Sequence, residues 1–319
     1  MADFSDIQAS PGIQAFPDIQ ASPGGPSSDP FFADPGRDIR VMGILNLSPD
    51  SFYAPSRLEF SILESGADII DVGAVSTRPG AAPVSEEEEW HRLESVLREI
   101  SQTFPHLAGI PSSTSSPAIS IDSVQTASSA TFPAISIDTT RAGIIERACD
   151  LLGAPVIVND ISAGEDDPAM LPLAGRLGLQ YIAMHKRGTP LTMQTLCDYD
   201  DVISEVSDYF RRFSLRAAEA GVSDWILDPG FGFAKDASQC FRLLSGLGQL
   251  RVAGHPVLVG ISRKSFIYNT LGISPEEALP ATSALHLAAL ERGADILRVH
   301  DVRSARGVIS LYRSLHGVQ

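Results

Sequence analysis

Short apolar runs, rich in β-branched residues, recur along the chain, and each ends in polar residues. In order they read GILNLSPDSF (43–52), DIIDVGAVSTRPGA (68–81), ISIDTTRAG (135–143), VIVNDISAG (156–164), ILDPGFGFAK (226–235), VGISRKSFI (259–267) and ILRVHDV (296–302). Candidate strands fall at 39–45, 68–73, 134–138, 155–159, 179–184, 224–228, 256–261 and 295–299. Between them the apolar positions take helical spacing, as in Glu86–Ile100, Val202–Ala220 and Pro275–Arg292. The acidic run SEEEE (85–89) marks a helix start, because carboxylates suit the positive end of the helix dipole. Eight strands alternating with helices predict an α/β chain with a parallel sheet, closed into a (β/α)8 TIM barrel. An open doubly wound sheet gathers its site at one switch point. Here polar tips recur around the whole set, which favours closure.

Residues 1–36 break the pattern. They are rich in Pro, Gly, Ser and Asp, and DIQASPG occurs at 6–12 and again at 18–24. Such a segment has too little apolar surface to offset its ordering entropy, so a disordered N-terminal tail is expected, followed by a single domain over 37–319. A second duplication lies inside the domain: PAISID at 117–122 and at 133–138. Only the second copy runs into a helical pattern, TTRAGIIERACDLL. The core strand is therefore assigned to it, and about 106–132 is read as a surface insertion. The alternative makes Asp122 the functional carboxylate. Between Phe52 and Gly66 there is room for only about two helical turns, near Leu58–Ser65, so the first helical unit is expected to be short.

A chain of 319 residues with 44% hydrophobic content suffices for one large core. The formal charge of -15 argues against nucleic-acid or anionic-membrane partners, which need a basic face. Cys149, Cys197 and Cys240 have neither the number of a disulfide framework nor ligand-like spacing, and are read as reduced and structural. No apolar run reaches the ~20 residues that span a bilayer. No basic segment followed by an apolar one opens the chain, so a cytoplasmic location is expected.

Three polar tips carry the first chemical reading. Asp138, Asn159 and Asp228 each follow an apolar strand (AISID, VIVN, WILD). Side by side they form a fence of donors and acceptors suited to a flat heterocycle with N–H and C=O edges. The competing reading makes each a helix cap or loop tie. Asp71, set inside its strand, and Asp160, placed to cap a turn, are read as structural. Phe231 and Phe233 are placed either to wall an aromatic pocket or simply to pack. A second group is cationic: Lys264, Arg298, His300, Arg263 and Arg78, accompanied by Asn46 and Thr77 at the first two strand ends. Guanidinium and ammonium groups bind phosphate oxygens, and an amide oxygen plus substrate phosphates is a typical Mg2+ environment. With no dense carboxylate cage, a metal held by protein alone is not expected. Arg263 is the one most readily assigned to salt bridging, and His185 to a structural role. Neither a GxxxxGK[ST] loop nor a GxSxG elbow is present.

Together with MHKRGTPLTMQ (184–194), these motifs resemble, in order, those of the dihydropteroate synthase family over about 39–316, insertion excluded. The resemblance implies condensation of 6-hydroxymethyl-7,8-dihydropterin pyrophosphate with 4-aminobenzoate, with release of pyrophosphate. It places Asp138, Asn159, Asp228 and Lys264 on the pterin, and Asn46 on Mg2+ and pyrophosphate. Thr77, Arg298 and His300 also fall on the pyrophosphate, and Ser265 with the loop around Arg78 and Pro79 on the aminobenzoate; Phe233 is a substrate-binding candidate from its place in the aromatic wall. Lys264, Asp138 and Arg298 are the expected catalytic residues, Mg2+ the cofactor, and a homodimer the expected assembly. The chain departs from the family pattern at Ser48, at GAVS (73–76), at Lys186 and Arg187, at Ala234 (a usual glycine), and at YAPSRLEFSILES (53–65), shorter than the family's first loop and helix. Two alternatives stay open at this point: a pterin-binding paralogue without synthase activity, and a methyltetrahydrofolate-dependent methyltransferase.

Overall fold

Eight strands alternate with helices as the pattern requires. A computed structural model describes residues 36–47, 62, 66–75, 84–103, 133–189, 191–252 and 254–318. The expected tail (through residue 35), the insertion with its first PAISID copy and Asp122, and nearly all of the short first helical unit lie outside the described residues. The strands are β1 (Arg40–Asn46), β2 (Ile69–Gly73), β3 (Ala134–Asp138), β4 (Ile157–Asp160), β5 (Tyr181–Met184), β6 (Trp225–Asp228), β7 (Leu258–Val259) and β8 (Ile296–Val299). The helices are α1 (Glu86–Thr103), α2 (Ala142–Leu152), α3 (Met170–Leu177), α4 (Val202–Glu219), α5 (Ala237–Ser245), α6 (Ser265–Leu271), α7 (Leu279–Glu291) and α8 (Val302–Leu315). The second PAISID copy does form the core strand β3.

The strands are parallel, in the order β6-β5-β4-β3-β2-β1-β8-β7. A bridge between Leu227 and Val257 closes the ring, where the Leu227 amide donates to the Pro256 carbonyl at 2.9 Å. The structure is thus a (β/α)8 TIM barrel. The strand expected over 256–261 is reduced to two residues. The Val257 amide is taken by Asp295 Oδ2 at 2.8 Å, and Gly260 onward turns toward α6.

The alternation of side chains along each strand sorts the barrel into an inside and an outside. Met42, Ile69, Ile157, Ile182, Ile226, Leu258 and Ile296 form a separate cluster inside, one residue from every strand but β3. Their neighbours in sequence, such as Val41, Ile70, Val158, Ala183, Leu227, Val259 and Leu297, belong to the larger cluster under the helices. There the buried α4 face presents Phe210 and Phe213 to Trp225, with ring centroids at 6.2 and 4.9 Å. Each fully buried apolar side chain of this size contributes about 1.5–3 kcal/mol. The inner cluster plugs the floor of the barrel. Residues two positions further along the same strands point the same way and form the next layer up, at the C-terminal mouth.

His286 on α7 is a buried polar exception, 3% exposed, with its Nε2 unpartnered among the described residues. Burial pushes its pKa from 6.5 down to about 4, against the pull of Asp301. Between those values the unfolded chain binds a proton that the folded chain refuses, so stability falls as pH drops from about 6.5 to 4, by roughly 3 kcal/mol in all. His286→Leu should remove that share of the acid slope. Urea midpoints of both proteins across this range check it; parallel slopes would contradict it.

Candidate active site

Counting two residues from each floor residue gives Ile44 after Met42, Asp71 after Ile69, Asn159 after Ile157, Met184 after Ile182, Asp228 after Ile226, Gly260 after Leu258 and Arg298 after Ile296. β3 supplies Asp138, paired in register with Gly73 and Asn159. Asp71 and Asn159 are buried, Asp228 is nearly so, and Asp138 and Arg298 are partly exposed at the mouth.

Arg298 is the hub. Its Nε donates to Asp71 Oδ2 at 2.7 Å and its Nη2 to Asp138 Oδ2 at 2.7 Å. Asp71 Oδ2 also accepts from Asn159 Nδ2 at 3.0 Å, while Asp71 Oδ1 has no partner among the described residues. Four strand tips are tied into one polar net. Asp71, read from the sequence as structural, sits in this net: its alternation faces it into the mouth, in direct contact with Arg298 and Asn159. Burial raises Asp138 to about 7, opposed chiefly by Arg298 and reinforced by Asp71. A carboxyl poised near neutrality can present either an acceptor or an O–H donor to a ligand edge. The two carboxylates beside Arg298 hold its guanidinium firmly in the charged form.

Asp228 Oδ1 accepts the Gly230 amide at 2.8 Å, which makes it a loop tie as well as a mouth residue. Burial raises its pKa, with Lys264 the main counterweight. The Lys264 Nζ lies 2.5 Å from the Phe231 carbonyl and 4.6 Å from the centre of the Phe233 ring. Burial pushes its pKa down to about 8, and Asp228 pulls it back up. Phe233 thus stands at the mouth. Phe231 is fully buried and stacks on Phe266 at 6.3 Å, so that one is a packing residue. Ser265 is exposed at the start of α6. His300 is exposed past the end of β8, with its Nδ1 3.1 Å from Ser262 Oγ. Asn46 ends β1, partly buried. Thr77, Arg78 and Pro79 lie outside the described residues.

Three further readings meet their geometry. Arg263 forms a two-pronged pair with Asp301, both contacts at 2.9 Å, and is structural as expected. Asp160 accepts from Ser162 and from the Gly164 amide, ordering the turn after Asn159. His185 is 3% exposed and packs edge-on to Tyr209 at 4.9 Å.

Comparison with known proteins bears on what this mouth is for. A family model described as pterin binding enzyme matches residues 42–131 and 121–300, two stretches that overlap inside the expected insertion. The dihydropteroate synthase of Escherichia coli K12 is 38% identical over 274 residues, covering 82% of this chain and 86% of that protein. The chain belongs to the dihydropteroate synthase family. The Synechocystis dihydropteroate synthase is 39% identical over 283 residues, covering 85% of this chain and 88% of that one. The crystal structure of Yersinia pestis dihydropteroate synthase with a sulfonamide drug complex superposes with a TM-score of 0.75 at 32% identity, over 90% of this chain and 97% of that one. Thermus thermophilus dihydropteroate synthase in complex with 4-aminobenzoate gives 0.71 at 36% identity, over 88% and 96%.

Within this dihydropteroate synthase barrel, one mouth residue and one buried residue that ties a loop of the mouth escaped the sequence reading. Asp71 could have been found by alternation, since it shares its parity with Ile69. Lys235 had no such signal: it follows a glycine-rich loop like any solvent-facing lysine, yet it is 3% exposed.

Proposed function

We propose that the Asp71–Asp138–Asn159–Asp228–Arg298 mouth binds 6-hydroxymethyl-7,8-dihydropterin pyrophosphate, and that the chain condenses it with 4-aminobenzoate to give 7,8-dihydropteroate and pyrophosphate. The single observation that carries the reading is the Arg298 net, which brings acceptors for the N–H edge of a flat ring beside a cation suited to a diphosphate. Asp138, Asn159, Asp228 and Lys264 hold the pterin. Arg298 has its Nη1 unbonded among the described residues and gives that edge, with His300, Thr77 and Asn46, to the diphosphate. Ser265, Arg78, Pro79 and the Phe233 ring receive the aminobenzoate.

The chemistry needs no protein nucleophile. The C–O bond to the diphosphate breaks and the leaving group takes the electron pair. The aniline nitrogen then forms the new C–N bond and gives up a proton. Arg298 and Lys264 stabilise the negative charge that grows on the leaving diphosphate, and the carboxylates stabilise the positive charge left on the pterin methylene. Mg2+ would come with the diphosphate, and Asn46 at the end of β1 would supply one amide oxygen to it. When bound, the ion would withdraw charge from the leaving group.

The whole protein, incubated with both substrates and Mg2+, should form dihydropteroate and pyrophosphate one for one, read by chromatography. Tight pterin binding without product would instead mark an impaired paralogue. A homodimer is also proposed. On α8, Leu311 and Leu315 are 65% and 68% exposed and one turn apart, an apolar pair suited to a second copy. Light scattering at the mass of one chain would contradict it.

A further inference from the structure

Lys235 is buried, and no step above uses it. Its Nζ lies 2.9 Å from His185 Nδ1, 3.0 Å from the Phe233 carbonyl, 3.1 Å from the Gly230 carbonyl and 3.4 Å from the His185 carbonyl. These acceptors belong to two segments, the one leaving β5 and the loop leaving β6. The loop is pressed hard against the β5 segment: a Cβ on Gly230 would sit 2.0 Å from the His185 carbonyl oxygen, so only glycine fits there. Lys264 holds the same loop from the other side, through the Phe231 carbonyl. The carbonyls of Gly230 and Phe233 thus go to one ammonium, and that of Phe231, between them, to the other. A third tie is the Gly232 amide, which donates to Cys240 Sγ at 3.3 Å.

We propose that Lys235 is a positioning residue: by pinning the 230–233 loop to the tip of β5, it sets the seat of Lys264 and of the Phe233 ring at the mouth. The statement rests on the reading that Lys264 holds the pterin. The protonation states agree with it. Burial, and then Lys235 and Arg187, hold the His185 imidazole well below its usual pKa, so it is neutral and offers Nδ1 as an acceptor. Burial likewise pushes the Lys235 amine down to about 7; it is faced by Cys240 from α5, Asp228 from β6, Lys264 before α6 and Arg187 after β5. The ammonium form has three protons for three close acceptors, and the neutral amine has one too few.

Three variants of the whole protein test this: Lys235→Met, of similar length without a donor, Lys264→Ala, and the double. Two measurements are made. Amide hydrogen exchange without ligand should quicken by about tenfold or more at residues 230–234 in Lys235→Met, with α4 unchanged, because buried carbonyls lose their donor. The Kd for 6-hydroxymethyl-7,8-dihydropterin pyrophosphate should rise by about tenfold in Lys235→Met, and the double variant should bind within about twofold of Lys264→Ala alone. Loop exchange equal to wild type, or losses that add in the double variant, would overturn the proposal. If wild type and Lys264→Ala bind the pterin equally, the pterin reading fails instead, and the exchange result still decides whether Lys235 pins the loop. Should Lys235→Met not accumulate folded, Lys235→Gln, which keeps an N–H donor, takes its place with a smaller shift in the same direction.

Discussion

Lys264→Ala is expected to lower the condensation rate by about 10²–10³-fold while leaving the barrel folded, the loss usual for removing one aimed charge from an active site. Lys264 precedes α6, donates to the Phe231 carbonyl, lies near the Phe233 ring and offsets the Asp228 charge. Alanine fits that backbone position, so the damage is confined to the mouth. A pH dependence follows. With the amine pushed down to about 8, its charge is lost as pH rises through that value. Activity should therefore decline on the alkaline side, and Lys264→Ala should lack that limb. Steady-state rates for both proteins from roughly pH 6 to 10 decide the point. Unchanged turnover in the variant would remove Lys264 from the site.

The second large effect is on stability. Asp71→Ala takes away the acceptor shared by Arg298 and Asn159 at the centre of the net. It leaves a buried amide unpaired and a guanidinium with one carboxylate instead of two, and breaking a buried charged group of this kind costs about 3–5 kcal/mol. For a barrel of this size the melting temperature should fall by roughly 10 °C. Pterin affinity should fall with it, because Arg298 is then drawn toward Asp138 alone. Asp71→Asn keeps the volume and should lose less stability. Calorimetric melts of the three proteins measure this; a loss below about 1 kcal/mol in Asp71→Ala would show that the net does not depend on this carboxylate.

Much of the barrel was legible because its strands end on polar residues that an apolar run cannot explain. Asp138, Asn159, Asp228, Lys264 and Arg298 were found this way, and four of them fall in the same inward layer or beside it. Asp71 shows what string reading misses: it is embedded in an apolar strand, and only its parity with Ile69, fixed by the pairing of β2 with β1 and β3, sends it inward. Arg298 reads from sequence as a phosphate cation, whereas its carboxylate partners come from strands 160 and 227 residues away in the chain. Lys235 was hidden for the same reason, since its burial depends on the β5 segment closing over it. Phe231 and Phe233, alike in sequence, separate because one side chain turns under α6 and the other toward Lys264. The short β7 could not be seen in HPVLVGIS, because a side chain from the segment before β8, Asp295, takes the Val257 amide.

The convergence of these tips on one substrate is tested most directly by a crystal structure with 6-hydroxymethylpterin pyrophosphate and Mg2+ bound. The ring should lie within hydrogen-bonding reach of Asp138, Asn159 and Asp228, with the diphosphate against Arg298 and His300. A pterin bound elsewhere on the barrel, with the Arg298 net untouched, would contradict the account.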